Sequence, residues 1–87
     1  MSAVVIYTTR FCPYCIRAKS LLDDKKVSYR EIAVDNKPQL RQEMIKKSGR
    51  RTVPQIWVGD RHVGGCDELM ALERSSKLDA LLKKAVN

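Results

Sequence analysis

The apolar positions of this chain change period from one segment to the next, and each period predicts an element. Ala3 to Tyr7, "AVVIY", is a continuous β-branched-rich run short enough for a buried strand. After a short loop, Cys12-Pro13 opens a stretch where Ala18, Leu21 and Leu22 recur at helical spacing, with Arg17, Lys19 and Asp23 on other faces. Pro13 suits the first helical position, because an N–H there would have no partner. Val27 to Val34, "VSYREIAV", alternates apolar and polar and predicts a second strand. Strand, helix and strand within about 30 residues form a βαβ unit, whose strands should be parallel and joined right-handedly.

A second helix is predicted from Pro38 to Ser48, with Leu40, Met44 and Ile45 inward and Gly49 ending it. In "TVPQIWVGDRHVGG" two short apolar-rich runs flank Gly59-Asp60, the signature of a tight hairpin. Cys66 to Arg74 reads as a helix carrying Leu69, Met70 and Leu72, and a last amphipathic helix carries Leu78, Leu81 and Leu82. The order β-α-β-α-β-β-α with a final helix predicts an α/β fold: a mixed four-stranded sheet with helices packed on it. No repeat, low-complexity segment or linker divides residues 1–87, so a single domain is expected.

Composition narrows the class. An apolar share of 44% and a charged share of 31% are those of a globular protein rather than a disordered tail. A chain of this size buries about 60–65% of its unfolded surface, enough to fold alone. The start, "MSAVVIYTT", has no basic region and no apolar stretch of signal-peptide length, and no apolar run is long enough to span a membrane. The expected location is therefore a reducing cytoplasm. The net charge of +7 is concentrated between Asn36 and Arg51, where Lys37, Arg41, Lys46, Lys47, Arg50 and Arg51 face only Glu43. A nucleic-acid patch is one reading of that segment. With a single tryptophan and no nucleic-acid motif, a solvated helix face that attracts small anions is the better one, and no nucleic acid is expected.

Three cysteines are too few for a disulfide framework, and a CxxC pair in a chain without a secretion signal points to redox or metal chemistry. Cys12 falls where a helix begins. Unpaired backbone N–H groups and the positive end of the helix dipole favour a thiolate there, and Arg10 and Arg17 are near in sequence. Cys15 is one turn on, at a spacing that suits the roughly 4.4–6.8 Å Cα separation of a disulfide. One cysteine ionised and the other poised behind it make a redox pair. The metal reading would take Cys12, Cys15, His62 and Cys66 as a Cys3His zinc set. Against it, His62 lies in a predicted strand, where a solvent-facing role is commoner, and Cys66 at a helix start reads as a small buried hydrophobe.

The company of the pair adds a resemblance. "CPYC" in the first βα turn, "TVPQIWV" some forty residues on and "GGCDEL" after a hairpin, in that order, resemble the dithiol glutaredoxins of the thioredoxin superfamily, over Val4 to Leu82. The resemblance implies a thioredoxin-like sheet with helices on both faces and a glutathione-dependent thiol–disulfide oxidoreductase. Cys12 would be the nucleophile and Cys15 the resolving thiol. The Val53-Pro54 bond would be cis, and the Val53 backbone would pair with the cysteinyl part of glutathione. Gly64 and Gly65 would let backbone approach the ligand, and the Cys66 and Asp67 N–H groups would receive its γ-glutamyl carboxylate. The Asp67 carboxylate would meet the glutamyl ammonium. Tyr14 and Thr52 would line the groove, and Arg41, Arg50 or Arg51 would meet the glycine carboxylate.

The resemblance further implies no metal and no organic cofactor, glutathione as co-substrate, and disulfide-containing or glutathionylated proteins as partners of a monomer. One departure stands out: many glutaredoxins carry a lysine where this chain has Thr9, with Arg10 as the nearest substitute. Two rival functions share the dithiol. A thioredoxin-like enzyme reduced by a reductase protein would have little use for "GGCD", and an iron–sulfur cluster shared between two chains would use Cys12 and glutathione thiols.

Overall fold

The computed structural model describes residues 3–86. Its strands are β1 (Val4–Thr8), β2 (Tyr29–Ala33), β3 (Gln55–Val58) and β4 (Arg61–Gly64). Its helices are α1 (Pro13–Asp24), α2 (Pro38–Ser48), α3 (Cys66–Arg74) and α4 (Leu78–Val86). The sheet order is β2-β1-β3-β4. β1 runs parallel to β2 and antiparallel to β3, and β3 runs antiparallel to β4.

The continuous apolar run of β1 is explained by its inner place in the sheet, where both faces are covered. Val4 and Ile6 pack with Ala18 and Leu22 of α1, Leu69 of α3, and Leu78 and Leu82 of α4. Val5 and Tyr7 point the other way, to Met44 of α2, Ile32 and Trp57. Tyr7 and Trp57 meet edge to face, with centroids 5.3 Å apart. The expected helices on both faces are therefore present.

Two strand boundaries differ from the sequence pattern. β1 extends to Thr8, whose hydroxyl is buried yet satisfied by donating to Glu31 Oε2 at 2.7 Å. β2 starts at Tyr29 rather than Val27, because the Val27 N–H donates to the Leu22 carbonyl at 3.2 Å and closes α1 instead. Lys26, with φ 58°, supplies the left-handed residue of that closure. At its far end Val34 leaves the strand but still donates its N–H to Thr8 O at 2.9 Å. The hairpin turns at Gly59, with φ 61°, and Val63 is left over as β4 slips register against β3.

α2 keeps its predicted bounds. Pro38 opens it, Gly49 in the left-handed region (φ 72°) closes it, and Lys46 and Lys47 sit favourably in its last turn. Lys25 ties the end of α1 to α3 and α4 through Glu73 at 2.7 Å and Asp79 at 2.9 Å. Among the described residues no helix is long and apolar enough to cross a membrane.

Candidate active site

β1 delivers the chain to one end of the sheet, and α1 begins there. Cys12 is the N-cap of α1: its backbone is extended (φ −111°, ψ 109°), and its Sγ accepts the Cys15 N–H at 3.2 Å. A sulfur thus takes the place usually filled by a Ser or Asp oxygen, in the field of the helix N-terminus. The Cys12 thiol also reaches the Val53 carbonyl at 3.8 Å. Cys12 retains 9% of its surface, whereas Cys15 retains none and Cys66 4%; all three are free thiols. Burial, and next the hydrogen bond with Cys12, pushes the Cys15 thiol up to about 12. Burial also pushes the Cys66 thiol up. The pair is unequal, with a solvent-side sulfur at a helix end and a protonated one behind it.

Beside Cys12 runs an open groove of about 410 Å³. Tyr14 of α1 forms one wall, and Thr52, Val53 and Pro54 before β3 form another. Gly65, Cys66 and Asp67 at the start of α3 close the third side. The Val53-Pro54 bond is cis. A Cβ on Gly65 would come within 3.3 Å of the Pro54 carbonyl, so the absent side chain lets these two backbones lie close. Of the residues named from the sequence as glutathione contacts, Tyr14, Thr52, Val53, Pro54, Gly65, Cys66 and Asp67 line this one groove, and Gly64, Arg41 and Arg51 do not.

Of the three arginines proposed for its far end, Arg50 lines the groove, with its Nη1 paired to Glu68. Arg41 is turned to the Arg51 carbonyl at 3.3 Å. Arg10 engages Asp35 through its backbone N–H at 2.7 Å, which holds that carboxyl below its ordinary range. Arg17 acts on Cys66, where its charge partly opposes the effect of burial.

Two residues that shape the groove were not picked from the sequence. Glu68 Oε1 accepts the Gly65 N–H at 2.9 Å and pairs with Arg50, which together hold its carboxyl below the ordinary value. Its place three residues after the N-cap is the capping-box spacing, so the signal was there to read. Gln55 is fully buried; its Nε2 donates to Thr52 O at 3.0 Å and Thr52 Oγ1 at 3.2 Å. Its Oε1 meets His62 Nε2 at 2.8 Å. No local pattern announces that link, since His62 reaches it across the hairpin.

The zinc reading fails on the same contact. His62 is half-buried, stacked on Trp57 at 4.6 Å and bonded to Gln55, so it is neither solvent-facing nor beside the cysteines. Among the described residues no three His, Cys, Asp or Glu side chains group to hold a metal.

Comparison with known proteins agrees with this geometry. A buckwheat glutaredoxin solved as a glutathione complex superposes with a TM-score of 0.90 over 97% of this chain and 79% of that one, at 31% identity. A Brucella melitensis glutaredoxin superposes with a TM-score of 0.83 at 55% identity, over 95% of this chain and 90% of that one. The molecule thus has the thioredoxin-like fold of the disulfide oxidoreductases. The glutaredoxin family model matches residues 4–63. A Pseudomonas aeruginosa glutaredoxin is 66% identical over 94% of this chain and 98% of its own length. Glutaredoxin 3 of Escherichia coli K12 is 54% identical over 95% of this chain and its own whole length. The chain belongs to the glutaredoxin family and is a glutathione-dependent thiol–disulfide oxidoreductase. Such enzymes need no prosthetic group, because glutathione serves as co-substrate.

Proposed function

We propose that Cys12 is the nucleophile and Cys15 the resolving thiol of a single-domain, monomeric enzyme whose groove holds glutathione. The Cys12 thiolate attacks the glutathionyl sulfur of a protein–glutathione mixed disulfide, and the protein leaves as a thiolate that takes up a proton. A second glutathione thiolate then attacks the Cys12–glutathione bond, releasing oxidised glutathione and regenerating Cys12. With a protein disulfide, Cys12 forms a mixed disulfide with one sulfur. Cys15 then attacks Cys12, frees the protein dithiol, and leaves a Cys12–Cys15 bond for glutathione to reduce. Glutaredoxin potentials of about −200 to −230 mV make that last reduction feasible in a reducing cytoplasm.

One observation carries this reading: the Cys12 sulfur lies 3.8 Å from the Val53 carbonyl, at the head of the groove. Glutathione bound there by its cysteinyl backbone on Val53 brings its sulfur to Cys12. The first-turn N–H groups of α3 suit the γ-glutamyl carboxylate, Asp67 its ammonium, and Arg50 the glycine carboxylate. Tyr14, Thr52, Pro54, Gly65 and Cys66 shape the space between. The bound glutathione of the buckwheat relative makes the same ligand the natural occupant here.

A reductase-coupled assay tests the assignment. Cys12→Ser should abolish reduction of both glutathionylated proteins and protein disulfides. Cys15→Ser should keep, or even raise, activity on glutathionylated substrates, since early ejection of glutathione by Cys15 is removed, but should stall as a covalent complex on an intramolecular protein disulfide. Equal loss of deglutathionylation in both folded variants would refute the division of labour.

A further inference from the structure

The two-thiol route makes a demand on Cys15. Cys15 must attack as a thiolate, yet it is wholly buried, and burial holds its proton on. A countercharge has to come from within the fold.

The α1-facing side of the sheet supplies one. Ile6 and Glu31 are partners in the β1–β2 ladder, and Thr8 projects to the same face as Ile6, two residues on. The Glu31 carboxylate accepts the Thr8 hydroxyl at 2.7 Å and the Lys19 ammonium at 2.9 Å. Lys19 follows Cys15 by four residues on α1, so the two side chains share a helix face. Its long side chain, free to sweep solvent elsewhere, is fixed there by a partner from another element. Beside this cluster lies an open cleft of about 460 Å³ lined by Thr8, Thr9, Lys19 and Glu31, which brings water up to Lys19.

We propose that Lys19, pinned by Glu31, is a positioning residue for the resolving step: its ammonium is the countercharge that lets the buried Cys15 sulfur ionise and attack. The proposal rests on the reading of Cys15 as the resolving thiol. Lys19 acts as a fixed cation and not as a base, because the Glu31 contact holds its proton more firmly than usual. Among the charged groups that act on Cys15, Lys19 alone favours its ionisation. Cys12 opposes its ionisation, and the Thr9 backbone favours it but carries no charge. Across α3, Cys66 is a buried thiol and Glu68 is occupied by Arg50. On β2, Tyr29 has Asp23 as partner, and Glu31 acts through Lys19. In the step, the Cys15 proton passes to water, the Cys15 thiolate bonds to Cys12, and the sulfur that was joined to Cys12 leaves with the electron pair.

Stopped-flow reaction of the reduced protein with one equivalent of dithiobis(nitrobenzoate) isolates that step. Cys12 releases one thionitrobenzoate by displacement, and Cys15 releases the second by attack on the Cys12 mixed disulfide, at a rate independent of reagent concentration. Cys15→Ser should release the first alone; release of both would refute the pair assignment itself and with it this proposal. Given that control, Lys19→Met should slow the second release about tenfold near neutral pH and move its half-maximal rate about one pH unit upward. Lys19→Arg should retain the wild-type profile. Glu31→Gln, which still accepts the Thr8 hydroxyl but grips Lys19 less, should shift the profile in the same direction by less. A second release in folded Lys19→Met with the wild-type pH profile would overturn the proposal while leaving the roles of Cys12 and Cys15 intact.

Discussion

Three cysteines in this chain share one element type in their surroundings, a helix start or first turn, and differ in what burial does to them. Cys12 keeps access to solvent and receives a backbone N–H on its sulfur, whereas burial raises Cys15 and Cys66. In the reduced protein at about pH 6, iodoacetamide should therefore label Cys12 first. Mass mapping that finds Cys66 labelled ahead of it would reverse the assignment. Asp67 tests the ligand end. Asp67→Asn should raise the KM for glutathione several-fold and leave reduction of a non-glutathione disulfide by the preloaded dithiol nearly unchanged. Equal losses in the two assays would signify a folding defect. At this scale the sequence was legible where chemistry is local, as in the CPYC spacing and the "GGCD" turn. Gln55 was not legible, because its partners Thr52 and His62 become neighbours only when the hairpin folds. The pairing of Arg50 with Glu68 was hidden for the same reason.

Elements were legible by period, and their ends less so. α2 and α3 have the predicted bounds because Pro38, Gly49 and the "GGC" turn mark them in the sequence. β2 is shorter than its alternation, since Lys26 adopts a left-handed conformation without being glycine and Val27 is spent on capping α1. Ser76 closes α3 in the same way, with φ 61° and the Lys77 N–H on Leu72 O at 2.9 Å. Two glycines show how differently such ends depend on the absent side chain. Gly49 has φ 72° and open space around it, so Gly49→Ala should cost about 1–2 kcal/mol of backbone strain and nothing in glutathione affinity. Gly64 has φ 117°, and a Cβ there would fall on the Glu68 carboxylate. Gly64→Ala should therefore add strain of about 1–3 kcal/mol to the loss of the Glu68–Gly65 cap, and should raise the KM for glutathione as well. Thermal melts and KM values for the two variants check this. A Gly64→Ala protein with wild-type KM would mean that the start of α3 tolerates displacement of Glu68.

The whole molecule joins these charges into one dependence on pH. On the acid side, His62 is held below its ordinary value of 6.5 by burial and by Arg50, and Glu31, Glu43 and Glu68 are held below 4.5 by their partners. In both windows the unfolded chain binds protons that the folded chain refuses, so stability falls as pH falls. The fall should begin near 6.5 and steepen in the carboxylate range. On the alkaline side, the Cys15 and Cys66 thiols stay protonated in the fold above their ordinary value of 9.0, while the unfolded chain releases those protons. The folded state then holds more protons, and stability falls as pH rises. Lys19, Lys25 and Lys47, held above 10.5 by their carboxylate partners, extend that loss upward. Melting temperatures of the reduced protein should therefore trace a dome with its top between about pH 7 and 8.5. The oxidised protein, with Cys12 and Cys15 joined, has no Cys15 proton to lose. Its alkaline limb should be shallower between about pH 9 and 10, with only Cys66 contributing among the thiols. His62→Gln, which can still reach Gln55, should flatten the limb between about pH 7 and 5 in either redox state. Alkaline limbs of equal slope in the reduced and oxidised forms would show that the buried thiol of Cys15 is not what sets stability there.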